Sequence, residues 1–139
     1  MAEAVTVDAD SNVGIGKTPA DGYKLDVSGN LRATNFAQTS SRTYKENIAS
    51  LPVKKALELL NKLKPVTFNY KTENGKKQNI GFIAEDVPQI FSTSDHKSVM
   101  LMDIIGVLTT VVQKQQKEAQ EMRKQVGELQ VQVAALAGA

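Results

Sequence analysis

A chain of 139 residues has room for one compact domain with an extension, and 5% aromatics with no Trp imply a small core supplemented by burial between chains. Its 17 basic and 15 acidic residues leave a net charge of +2, scattered rather than gathered into a basic stripe with interleaved aromatics, which argues against nucleic acid as a partner. The lack of Cys excludes disulfides and thiolate metal sites and leaves the redox compartment open. No apolar run nears the ~20 residues that span a bilayer.

The N-terminal stretch MAEAVTVDADS is acidic and has no hydrophobic signal core, so the expected product is soluble and remains where it is made, unless lysis or a larger assembly carries it out. No membrane insertion, cofactor or metal is expected. Over residues 1–39, short alternating pieces (Val5 and Val7; Val13 and Ile15; Leu25 and Val27; Leu31) are punctuated by Gly14, Gly16, Pro19, Gly22 and Gly29. They read as strands of three to five residues joined by tight turns, with too little apolar surface for a domain of their own. Gly14-Ile15-Gly16-Lys17-Thr18 is not a phosphate loop: one residue separates its glycines where four are needed, no hydrophobic strand precedes it, and Pro19 blocks a helix after it.

From Ser40 to Asn47 the chain turns polar. Ser40 and Lys45 are its one pairing with catalytic potential, since a lysine stripped of its proton can activate a serine hydroxyl without any histidine. The same residues also suit an ordinary solvated loop. After Pro52, an amphipathic helix carries Val53, Ala56, Leu57, Leu60 and Leu63 on one face and ends at Lys64-Pro65. Val66 to Lys71 alternates as a strand, Glu73-Asn74-Gly75-Lys76 supplies a hairpin turn, and Gln78 to Ile83 returns as its partner. Phe68, Tyr70, Ile80, Phe82 and Ile83 are expected to pack with Leu57, Leu60 and Leu63. Ala84 to Phe91 reads as a short or broken helix around Pro88, and Ser92 to Ser98 as a polar loop with the one histidine, His96.

The last third carries an unbroken 4-3 seam: Leu101, Ile105, Leu108, Val112, Gln115, Ala119, Met122, Val126, Leu129, Val133 and Leu136. One isolated helix has no way to bury a seam of period 3.5, so this helix, roughly 50 Å long at 1.5 Å per residue, calls for parallel or antiparallel partners and makes the chain an oligomer. Gln115 is either a register-fixing polar layer or a residue of a wetter one. Val-like residues alternating with Leu lean towards two strands but leave two against three unsettled. Glu118 and Arg123 flank the seam five apart, the spacing of an ion pair between parallel neighbours; on an exposed rim this is worth under about 1 kcal/mol.

Three motifs in order, Ser-Ser-Arg-Thr-Tyr-Lys-Glu-Asn-Ile at 40–48, Leu-Lys-Pro-Val-Thr-Phe-Asn-Tyr at 63–70 and Asn-Ile-Gly-Phe-Ile-Ala-Glu-Asp-Val-Pro at 79–88, lead into the coiled coil. Together they resemble the C-terminal intramolecular chaperone domain of bacteriophage tailspikes and tail fibres, the endosialidase-type self-cleaving domain. The stretch Val-Gly-Ile-Gly…Lys-Leu-Asp-Val-Ser-Gly-Asn also resembles the repeat that precedes this domain in such fibres.

The resemblance implies an α+β fold: a β-rich fibre-like segment over 1–39, a small helix-hairpin chaperone body over 40–100, and a long C-terminal helix over 101–139 forming a parallel trimeric coiled coil. It implies a homotrimer that assists folding of the β-segment ahead of it, joined to upstream fibre or baseplate proteins of a tail or contractile injection machine. Such a protein would be assembled in the bacterial cytoplasm and then carried in the particle. Carried over by position, Ser40 is the nucleophile, Lys45 the base, Glu46 and Asn47 complete the motif, and Ser40–Ser41 is the scissile bond. The family often has aspartate where this chain has Ser41. Only about 40 residues precede the junction, so the chain is either a fragment or a small trimeric part in its own right. Two outcomes stay open: a chaperone that cuts itself loose, and an uncleaved structural trimer capping a fibre or baseplate.

Overall fold

In the computed structural model of the chain, residues 4–71 and 77–138 are described. They form two compact units, residues 1–47 and 48–139. The class is α+β, with few short strands in two small sheets and one long C-terminal helix.

The first unit is a three-stranded sheet of β1 (Val5–Val7), β2 (Val13–Ile15) and β3 (Leu25–Val27) in the order β1-β2-β3. β1 pairs antiparallel with β2, with Val5 opposite Ile15, and β2 pairs parallel with β3, with Val13 opposite Leu25. Each strand is only three residues long, and Val5, Val7, Ile15 and Leu25 stay 40–64% exposed, so apolar burial contributes little here. Polar side chains fix the connections instead. The Asp8 carboxylate accepts from the amides of Asp10 (2.9 Å) and Asn12 (2.8 Å) and from Asn12 Nδ2 (2.9 Å), which closes the β1–β2 turn. Asp26 on β3 pairs with Lys17 at 2.6 Å and accepts from the Ala20 amide at 3.0 Å, which ties down the crossover. Gly14 lies under that crossover, where a Cβ would run into the Lys17 carbonyl and Pro19. The expected strand piece at Leu31 does not form: Leu31 sits in irregular chain and is exposed.

These carboxylates make the first unit acid-sensitive. The Lys17 ammonium, then the Ala20 amide, hold the Asp26 carboxyl below its ordinary value, and the Asn12 amide does the same for Asp8. A group with a depressed folded pKa adds stability above the ordinary carboxylate range and loses it as pH falls through the folded value. In the full chain, amide signals of residues 4–28 are therefore expected to lose dispersion below about pH 4. Asp26→Asn should flatten that acid limb; an unaltered limb would show that Asp26 does not carry it.

The second unit begins with α1 (Val53–Leu60), entered from Pro52. Its inward residues are Val53, Ala56, Leu59 and Leu60, with Ala56 fully buried, and Leu63, just past the helix end, packs against the same core. The expected face is corrected at one position: Leu57 is 39% exposed, and Leu59 packs against the core. The strands β4 (Val66–Phe68) and β5 (Asn79–Gly81) pair antiparallel, with Thr67 opposite Ile80 and Val66 opposite Gly81. The expected turn at Glu73–Lys76 lies outside the described residues. Register explains why the expected hairpin core is only partly realised. Cross-strand partners share a face, so Ile80 sides with Thr67 and is 81% exposed, while Phe68 lies over Gly81 and meets Tyr70 edge-on at 5.1 Å. Phe82 reaches the core; within one chain Tyr70 and Ile83 stay open.

The core has a centre that period and spacing did not single out. Gln89–Phe91 forms one turn of 3-10 helix after Pro88, in place of a longer broken helix, and drives Phe91 to full burial. Around it lie Ala56, Val87, Ile104, Val107 and Val111. The Met100 amide donates to the Phe91 carbonyl at 2.7 Å, and Ser92 bridges Val99, so the chain re-enters beside Phe91 where α2 (Leu101–Ala137) starts. In its first three turns α2 therefore has two apolar stripes. Ile104, Val107 and Val111 are buried within the unit, whereas Leu101, Ile105, Leu108 and Val112 are 40–65% exposed.

Candidate functional site

Ser40 and Lys45 meet. Lys45 Nζ donates to Ser40 Oγ at 2.6 Å, within the first unit and on its surface. A short turn is what brings them together. Fully extended, five residues span about 17 Å, far more than a lysine side chain bridges. Arg42–Tyr44 instead forms a single turn of 3-10 helix, with the Tyr44 amide donating to the Ser41 carbonyl (3.1 Å) and the Lys45 amide to the Arg42 carbonyl (3.2 Å). Ser41 caps this turn: its Oγ accepts from the Thr43 amide at 3.3 Å and lies 2.9 Å from Thr43 Oγ1. The turn folds Lys45 back on the residue that precedes the cap.

Glu46 is exposed beside the pair. Asn47 takes φ = +52°, a left-handed conformation that asparagine tolerates better than bulkier residues, so its place in the motif has a backbone reason. Chemically, the Ser40–Lys45 contact offers a hydroxyl nucleophile with an amine positioned to take its proton. Among the described residues, no group of three His, Asp or Glu side chains is placed to hold a metal ion, and no helix is long and apolar enough to cross a membrane.

The seam residues form a second candidate surface. Leu101, Ile105, Leu108, Val112, Met122, Val126, Leu129, Val133 and Leu136 are 40–78% exposed in the single chain, while Ala119 is half-buried and Gln115 exposed. A groove lined by Val126, Leu129, Val133 and Ala137 runs along the C-terminal turns. At the other end, Leu101 lines a cleft with Phe68, Tyr70, Ile80, Phe82 and Ile83, so the open hairpin residues continue the seam. Glu118, expected to reach a neighbouring helix, pairs within its own chain with Lys114 at 3.0 Å.

Sequence reasoning overlooked Ser41 and Thr43 as the holders of the turn, although Ser is among the residues preferred at a helix N-cap. It also overlooked the Ile104-Val107-Val111 stripe, whose 3-4 spacing sits in plain view beside the longer seam.

Residues 40–95 match the family described as chaperone of endosialidase. The match takes in all three motifs on which the resemblance was read, and bears that resemblance out; the first 39 residues and α2 lie outside it. No curated protein and no solved structure matches the chain.

Proposed function

We propose, from the premise that residues 40–95 are an endosialidase-type chaperone segment, that this protein trimerises and helps fold a phage tail fibre, tailspike or related injection-machine component, and that it cuts itself at Ser40–Ser41. The observation that carries the reading is the open seam of α2. Beyond Val111 the helix has no buried residue, and a seam of period 3.5 left bare along it is matched best by copies of itself. Three copies, rather than two, is what the family relationship implies.

The folding role follows from rates. A coiled coil forms through local contacts and quickly, whereas non-local β pairing is slow. Joining three chains through α2 raises the local concentration of the β-segments ahead of it. Residues 1–47, with strands of three residues and exposed Val5, Val7 and Leu25, are the kind of segment that gains from such help.

For cleavage, Lys45 takes the proton of Ser40 Oγ, and the oxygen bonds to the carbonyl carbon of a Ser40–Ser41 link. The C–N bond breaks, the proton passes to the departing Ser41 amine, and water opens the ester to leave a carboxylate on Ser40. Attack on its own carbonyl would close a four-membered ring; attack on the same link in a neighbouring chain would not, and the products are identical. Lys45 accepts a proton only as a free amine, a form that removal from water favours. In the single chain the pair is exposed, so covering of the junction by assembly is the proposed trigger.

The test combines light scattering with intact mass on fresh and aged protein. The expected result is a trimer whose chains divide into pieces ending at Ser40 and beginning at Ser41. Ser40→Ala and Lys45→Ala should stay whole and trimeric, and Lys45→Arg should be equally dead, because a guanidinium does not give up its proton in proteins. Cleavage persisting in Ser40→Ala would end the mechanism. A trimer that never cuts would instead support the second reading, a permanent structural cap, which the exposed position of the dyad favours.

A further inference from the structure

The contact between Ser40 and Lys45 depends on neither a long element nor a packed core, since residues 40–50 are all exposed. It depends on a three-residue turn, and the side-chain hydrogen bonds that steady that turn come from two hydroxyls. Ser41 Oγ accepts from the Thr43 amide and is hydrogen-bonded to Thr43 Oγ1, while the Ser41 carbonyl receives the Tyr44 amide. Loosening Ser41 therefore loosens the element that aims Lys45.

We propose that Ser41 and Thr43 are positioning residues for the dyad, holding the 3-10 turn that sets Lys45 Nζ on Ser40 Oγ. Ser41 has a double place: its amide nitrogen belongs to the scissile bond, while its hydroxyl organises the base five residues from the nucleophile. The chemistry asked of position 41 is a short side chain with an acceptor oxygen one or two bonds beyond Cβ. Aspartate meets the same demand and caps as well as serine does, whereas alanine does not. Thr43 supplies the amide that every residue type has and, in addition, a hydroxyl that valine lacks. The proposal rests on the self-cleavage reading for its activity readout, but the geometry it describes has a readout of its own.

The experiment uses the full chain as wild type, Ser41→Ala, Ser41→Asp and Thr43→Val. Two quantities are followed: the cleavage rate by intact mass, and, at one fixed pH, the Lys45 13Cε and 15Nζ shifts with the nuclear Overhauser contacts from the Lys45 side chain to Ser40. Loss of a cap of ordinary strength shifts the equilibrium between turn and open chain about fivefold. Ser41→Ala should accordingly slow cleavage by up to about fivefold, displace the Lys45 side-chain signals and weaken their contacts to Ser40, with Thr43→Val changing both in the same direction by less. Ser41→Asp should keep the wild-type Lys45 signals and contacts and the wild-type rate, which a merely structural role for the serine side chain would not require. A Ser41→Ala chain with unchanged rate and unchanged Lys45 signals would overturn the proposal. If no chain cuts, including wild type, the cleavage reading fails, and the Lys45 signals alone decide the positioning: a shift in Ser41→Ala with retention in Ser41→Asp upholds it, and identical signals in all chains refute it.

Discussion

Leu129→Asp is expected to take the oligomer apart. Leu129 is 57% exposed in the single chain and lies within the C-terminal groove, so the substitution disturbs nothing inside its own chain. In the proposed coiled coil, three carboxylates would meet in one apolar layer, and each unpaired buried charge costs several kcal/mol. Light scattering should report one chain mass for the variant and, on the proposed assembly, three for the wild type. The released helix beyond Val111 should also fray, because helices in proteins owe most of their stability to packing of an apolar face rather than to propensity. An unchanged mass would remove this seam as the interface. Gln115→Ile works in the opposite direction, replacing a polar seam residue by an apolar one; its expected result is a higher melting temperature, with strand number free to relax. A lower melting temperature at constant mass would contradict the register.

Phe91→Ala is expected to cost about 3–5 kcal/mol, the usual range for emptying a buried aromatic site. Phe91 is fully buried among Ala56, Val87, Ile104, Val107 and Val111, and its carbonyl receives the amide of Met100 at the entry to α2. Set against a typical domain stability of about 5–15 kcal/mol, this is enough to leave the body marginal. Phe82, only half-buried at the edge of the same cluster, should cost less when truncated. Chemical denaturation checks both. A loss below about 1 kcal/mol for Phe91→Ala, or a larger loss at Phe82, would mean that the cluster is not the centre of the body.

The parts legible in the sequence were those whose signal is periodic or local. The seam from Leu101 to Leu136 announces a long helix because its spacing extends over many turns, and α2 spans Leu101–Ala137. The three-residue strands of the first unit were marked by alternation between glycines, and the Ser40–Lys45 pair by residue chemistry and a family motif. What sequence left undecided is what depends on pairing and on neighbours distant in the chain. Hairpin register turned Ile80 away from Phe68, because opposite residues share a face whatever their hydrophobicity. Leu59, rather than Leu57, packs on the core, since the face a short helix buries is chosen by what lies against it. Phe91 became the centre only because Pro88, the 3-10 turn and the return of Met100 bring it under α1 and α2, contacts that no local window contains. The second stripe of α2 was hidden for the same reason: a helix that packs on its own chain and leaves a seam bare needs two faces, and only the tertiary structure distinguishes which face is already covered.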